Sequence, residues 1–378
     1  LLEQNYYPLE FKFRVTTLHN DFTATDALGN TRAYVKQKLF KLKEHVSVFA
    51  DDSQTELKYE IRANKWLDFN TTYSFTTADG KQIGRVARKG WRSIWKATGI
   101  QQNPATDVPK LFTFALKPPA LPASMPRGDG YGSFTLAKDG KLSVAGKTGD
   151  GESYTSATFA GPQGQVLIFG TLPSKGSLVG RINIDMATDI ISGTSTVSWI
   201  RPPNATSRTY PLGYGLVDTV EISAVGSKFT APVAPALILG MALGDKAQLS
   251  FADGGLSSAS INPNVAAFDI LAKNVAKLPI ALSAENPGSV KLTGLSATTG
   301  LFTGTFVLED TELRTASAFV GKKLKRTGNF AGILTQDGGS PIGAGHFLLP
   351  ELPRDTNPAT TPTNSQILSG SVLMQKKP

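Results

Sequence analysis

The chain has 378 residues, enough for two or three domains, and carries a formal charge of +9 from 39 Lys and Arg against 30 Asp and Glu. It contains no cysteine, which excludes disulfide frameworks, thiolate nucleophiles and cysteine-based metal sites. Residues 1–100 hold 16 of the basic and 11 of the acidic residues, so an anionic partner is expected there if the basic side chains cluster in space.

The opening LLEQNYYPLEFKF has no basic stretch followed by an apolar run, so no signal peptide is predicted at this end. Residues 1–100 then read as a block of β-hairpins in three diverged copies, Asp21 to Phe40, His45 to Asn64 and Thr72 to Trp91. Each copy is an alternating strand, a turn with Asp (Asp26, Asp51 or Asp52, Asp79) and a second strand loaded with Lys and Arg. The spacing of roughly 25–28 residues lies in the range of repeat architectures. Alternation sorts the residues by face. Phe11, Phe13 and Val15 oppose Lys12 and Arg14; Val35, Gln37 and Leu39 oppose Tyr34, Lys36 and Lys38; Leu57, Tyr59 and Ile61 oppose Lys58, Glu60 and Arg62.

Residues 101–127 are rich in proline and read as a linker. From Gly128 onward Gly, Ser, Thr and Ala dominate, with turn signals every 8–12 residues or so. This predicts an all-β barrel or sandwich over 128–378. Gly176 to Trp199 weakly echoes Gly288 to Leu308, which suggests a pseudo-duplication with halves 128–212 and 213–378. The longest apolar stretch, Ala231 to Gly244, holds two prolines and falls short of the ~20 residues of a membrane helix. Pro353 to Asn364 reads as an exposed loop, followed by a closing strand, QILSGSVLM. The fold class expected is therefore mostly β: an N-terminal antiparallel hairpin sheet joined to a larger all-β barrel or sandwich.

Little in this text points to chemistry. Gly128 to Ser133 resembles a phosphate loop in composition, but Pro126 precedes it and a strand follows, where a phosphate loop opens a helix. A strand-entry turn is the better reading. His19, His45 and His346 are scattered, and without cysteine they nominate no zinc site. Asp139, Asp150 and Asp253 each precede a glycine, as turns require, with no run of spaced calcium ligands. No Gly-x-Ser-x-Gly elbow and no obvious carboxylate pair is present. The chain reads as non-enzymatic, without cofactor or metal. A glycan-processing enzyme is a third alternative with no residues to carry it.

The basic strands are the candidate site. Alternate residues on one strand face stand about 6.5–7 Å apart. Lys36, Lys38, Lys58, Arg62, Lys81, Arg85 and Lys89 would thus form a cationic surface for anionic phospholipid, with Trp91 and Trp95 as interfacial aromatics. No recognition helix or aromatic ladder accompanies the charge, so nucleic acid is not expected.

YPLEFKF, DFTATDALGNTRAYVKQKLFKLKEHVSVFADD and YSFTTADGKQIGRVARKG carry a resemblance. The block from Tyr7 to about Ala97 is similar to the tubby-like family of LURP-one-related proteins and phospholipid scramblases. The resemblance implies an intracellular protein and a barrel closed around a C-terminal hydrophobic helix, of which this block matches only the first part. From Gly128 the text GDGYGSFTL, GTSTVSWIRP, FTGTF and GAGHFLLP resembles uncharacterised β-repeats of large bacterial cell-surface proteins. That implies an exported structural or adhesive module whose partner is a protein or a surface glycan.

Overall fold

The computed structural model describes the chain except residues 1–9, 15–19, 27, 38–44, 64–71, 89–94, 99–109, 138–139, 162–163, 192–193, 218, 257–259 and 357–358. It divides into two compact units, Leu1–Asn103 and Pro104–Pro378, and is built almost wholly from antiparallel strands.

The first unit is one eight-stranded meander: β1 (Glu10–Arg14), β2 (Asn20–Thr25), β3 (Thr31–Gln37), β4 (His45–Phe49), β5 (Leu57–Ala63), β6 (Thr72–Thr77), β7 (Gln82–Arg88) and β8 (Trp95–Thr98), each paired with the next. The three copies are the hairpins β2–β3, β4–β5 and β6–β7. Their turn aspartates act locally. Asp26 accepts the backbone N–H groups of Leu28 and Asn30, both at 2.9 Å, and Arg32 Nε at 2.8 Å. Burial opposes ionisation of Asp26, but these hydrogen bonds outweigh it and hold its carboxyl below the usual range. Gly29 and Gly80 close equivalent turns at φ +83°, a backbone that a Cβ would strain. One face of the sheet carries Phe22, Val35, Val46, Val48, Tyr59, Ile61 and Phe75, all half-buried. The other is polar, and at its centre Tyr34 donates 2.7 Å to buried Asp21.

The second unit holds two barrels. The first runs β9 (Lys110–Lys117), β10 (Gly130–Leu136), β11 (Lys141–Lys147), β12 (Ser153–Phe159), β13 (Gln165–Thr171), β14 (Ser177–Asp185), β15 (Ile190–Ile191), β16 (Thr196–Ile200) and β17 (Val220–Lys228). β17 returns to pair with β9, and an Ala160–Val166 bridge brings β12 against β13. The second runs β18 (Lys246–Asp253), β19 (Val265–Leu271), β20 (Val275–Lys277), β21 (Lys291–Leu295), β22 (Leu301–Thr311), β23 (Lys323–Asp337), β24 (Ser340–Pro350) and β25 (Ile367–Lys376). Here β25 returns to β18, and the sheet order leaves the ring open between β20 and β21.

Each barrel is thus an up-and-down meander whose first and last strands pair, so the duplication lies in topology. The sequence echo joins non-equivalent places, since residues 176–199 are β14 to β16 of one ring and residues 288–308 are β21 and β22 of the other. Inward residues alternate with outward ones, as Leu142 and Val144 do on β11 or Leu178, Ile182 and Ile184 on β14, and fill each ring with its own core.

Two boundaries differ from expectation. The stretch 101–127 contains β9, whose Phe112, Phe114 and Leu116 are core residues of the first barrel. Proline composition marked the residues on either side of β9 and hid the strand between them. The first barrel also runs to Lys228 rather than residue 212, because β17 is needed to close it.

β9 is buried on both sides. Phe112 and Phe114 point into the first barrel, while Ala115 packs with Ile342 and Ala344 of β24, joined by Val225 and Leu373. Thr335 Oγ1 donates 2.7 Å to the Thr113 carbonyl across the same seam. This explains the nearly unbroken apolar run LFTFAL, which a strand with one solvated face would not show.

Candidate functional site

Cross-strand register in the first unit assembles part of the predicted basic surface. One row reads Asp21, Lys36, Ser47, Glu60, Thr76 and the next His45, Arg62, Ser74, Arg85, Thr98. By register Lys36, Arg62 and Arg85 fall on one side of the sheet, while Lys58 sits at a β-bulge outside the paired register. Lys81 lies in the β6–β7 turn, exposed, rather than on a strand. Trp95 opens β8 opposite Arg88. Lys38, Lys89 and Trp91 lie outside the described residues.

The face carries acids as well as bases. Arg62 Nη2 is 2.6 Å from Glu60, Lys58 pairs with Glu56, and Arg32 is 2.7 Å from Asp26. Burial works against ionisation of Glu60, but hydrogen bonds from His45 and Arg62 more than offset it and lower its pKa. Lys36 donates to Gln54 Oε1 at 3.0 Å and has no carboxylate partner among the described residues. The alternation of period two is legible in the sequence, and Glu56 and Glu60 recur at the same period beside the bases they pair with.

The second unit concentrates its polar groups where the barrels meet. The residues Gly128-Asp129-Gly130 lead into β10 through a bend at Gly128 rather than the hydrogen-bonded turn expected, and the segment is wedged into the seam. Gly128 N–H donates 3.2 Å to Ser369 Oγ, whose hydroxyl donates to the Gly149 carbonyl. A Cβ on Gly128 would stand 2.4 Å from Ser369 Oγ and 2.6 Å from His346 Cβ, so the approach requires glycine. His346 is buried, its ring stacked on Tyr131 at 5.9 Å, with Nδ1 3.3 Å from the Asp129 carbonyl. That contact requires the proton on Nδ1. Burial pushes the imidazole pKa down to about 4, so the ring is neutral near pH 7.

Ion pairs flank the segment. Arg127 reaches Asp253 at 2.6 Å and Lys117 reaches Asp337 at 2.5 Å, each joining one barrel to the other. Deeper, Arg201 lies 2.6 Å from Asp150 and 3.2 Å from Glu152, and Tyr214 donates 3.0 Å to Asp150. Asp150 is thus committed to a buried network, and Asp253 to an interdomain pair. Arg326, fully buried, binds Asp310 at 2.7 Å and the Pro350 carbonyl at 2.8 Å inside the second barrel. Among the described residues no group of three His, Asp or Glu is placed to hold a metal ion.

Asp129 is the seam residue that sequence reasoning passed over. Its side chain lines a cleft of about 510 Å³ together with Lys117, Arg127 and Asp253. Burial raises its carboxyl to about 7, against the attraction of Lys117 and with the repulsion of Asp337. No local signal marked it, since Asp before Gly is what turns commonly carry. The chain matches no family model, and no curated protein or solved structure is significantly similar to it.

Proposed function

We propose that the chain works by binding rather than by catalysis, and that the polar face of the first unit contacts anionic phospholipid surfaces, in keeping with the tubby-like resemblance of that block. The observation that carries this reading is the register that gathers Lys36, Arg62 and Arg85 on one side of a continuous sheet, with Lys58 at the adjoining β-bulge. Charge near an anionic membrane contributes about 1 kcal/mol per basic residue, and internal ion pairs reduce it. The test is therefore two-sided. Lys36→Glu combined with Arg62→Glu should weaken sedimentation with phosphatidylserine vesicles, while Glu56→Gln, which releases Lys58, should strengthen it. Phosphatidylcholine vesicles should bind neither parent nor variants. Unchanged binding across all three proteins would reject the face as the contact.

A second reading concerns the other unit. Two rings sharing a seam of strands buried on both sides, each with its own enclosed arginine–aspartate pair, suit a rigid structural or adhesive module of a cell surface. Resistance of residues 104–378 to protease in conditions that digest the first unit is the expected behaviour.

A further inference from the structure

We propose that the cleft at the barrel seam is a binding site for a primary alkylammonium group, held by Asp129. This goes beyond the phospholipid reading and rests on a different unit of the chain.

The argument begins with charge balance. Five charged groups surround the cleft: Lys117, Arg127, Asp129, Asp253 and Asp337. Both cations are already matched, Lys117 by Asp337 and Arg127 by Asp253. The Asp129 carboxylate is left over: it makes no hydrogen bond or ion pair with any described residue. Its backbone is by contrast fully engaged, with N–H donated to the Gly345 carbonyl at 3.3 Å and its own carbonyl facing His346 Nδ1. The seam thus fixes the position of this residue and gives its side chain nothing to bind.

Asp129 is partly exposed at the cleft, so water reaches its unmatched carboxylate, while the protein around it still disfavours the charged form. Burial on the protein side raises its pKa to about 7, so a proton and a cation compete for it near neutral pH. A ligand that replaces the proton must bring one positive charge and hydrogen-bond donors. A second carboxylate or a phosphate would add to the negative excess, and a metal ion would find one free carboxylate and no further ligand group. The cleft wall opposite the charges is apolar, with Pro118, Pro119, Leu121 and Leu373. An ammonium on an alkyl stem satisfies both halves, its head on Asp129 and its methylenes on that wall. A free aliphatic amine and a lysine side chain of another protein present the same chemistry.

The test uses the full chain and n-pentylamine, followed by calorimetry at pH 8. Saturable one-site binding is expected, with 1-pentanol and pentanoate at least tenfold weaker. The ammonium must displace the proton from Asp129. The other charged groups facing the cleft are the paired Lys117, Arg127, Asp253 and Asp337, and the neutral His346 contacts the Asp129 backbone. With a pKa of about 7, affinity should fall about tenfold from pH 8 to pH 6 by proton linkage. Asp129→Asn should abolish binding while leaving the circular dichroism spectrum intact, and Lys36→Glu should leave it unchanged. Nα-acetyl-lysine methylamide separates the sources: binding as tight as pentylamine points to a protein lysine, and its exclusion to a free amine. Failure of pentylamine to saturate, equal binding of pentanol, or retention of binding by a folded Asp129→Asn protein would each overturn the proposal, and none of these bears on vesicle binding.

Discussion

The ion pairs Arg62–Glu60 and Arg326–Asp310 have nearly the same length, 2.6 and 2.7 Å, but stand in opposite surroundings. In the first unit Arg62 is 63% exposed, on the polar face of a single sheet; in the second, Arg326 and Asp310 are both at 0%, inside a ring. Water screens the first pair and leaves its charges available to other partners. The second pair has neutral hydrogen-bond partners, the Pro350 carbonyl for Arg326 and the Ile261 N–H for Asp310, but each charge is neutralised by the other. The contrast follows from architecture. The meander of the first unit buries a few polar groups, such as Asp21, Tyr34 and Ser47 at its centre, whereas a meander curled into a ring encloses an inside where polar groups must satisfy one another.

The largest consequence of this contrast is cooperativity in the closed unit. A fragment of residues 128–378 lacks β9, which lies between β10 and β17 and supplies Phe112, Phe114 and Leu116. It should fail to fold, while residues 104–378 should unfold in one cooperative step by circular dichroism in urea. A stable 128–378 would show that the barrels do not depend on the shared strand.

The paired charges give the next largest difference. Arg326→Met strands Asp310 in the core and should destabilise the second unit by about 3–5 kcal/mol. Arg62→Met should change the first unit by no more than about 1 kcal/mol. Adding Asp310→Leu to Arg326→Met should recover much of the loss, since no unpaired charge then remains. Equal losses for Arg326→Met and Arg62→Met in urea titrations would contradict the distinction drawn from burial.

The smallest effect sharpens the comparison within the seam. Asp129 has its folded pKa raised from 3.8 to about 7, so the native state holds the extra proton and stability falls as pH rises through that window. His346 has its folded pKa lowered from 6.5 to about 4, so its contribution is lost as pH falls through that range. The two slopes oppose each other between about pH 4 and 6.5 and largely cancel in the parent. Asp129→Asn should uncover the histidine slope, approaching 1.4 kcal/mol per pH unit relative to the parent. A variant whose stability runs parallel to the parent's across that range would show that the Asp129 carboxyl does not titrate as its burial implies.

Much of the architecture was legible because strand alternation is a local signal. The hairpin copies, their aspartate turns and the turn-rich second unit all follow from residues within a few positions of one another. β9 was missed because burial on two faces erases the alternation by which strands are found, and flanking prolines gave the opposite signal. The seam was missed for a different reason. Gly128, Gly149, His346 and Ser369 meet across separations of up to 241 positions, and no local pattern encodes that meeting.

The sequence by itself determined the strand-forming character of the chain, the positions of its tight turns and the sidedness of each strand, since these depend on φ/ψ preference and a period of two. Tertiary structure decided which sides became interiors. The β22–β23 pairing set Arg326 beside Asp310 and the ring enclosed them, the fold brought Arg201 to Asp150, and packing of ring against ring left Asp129 without a partner at a cleft. Partnering and desolvation depend on every neighbour in space, so the same residue type is a solvated turn acid at Asp51 and a group that holds its proton near pH 7 at Asp129.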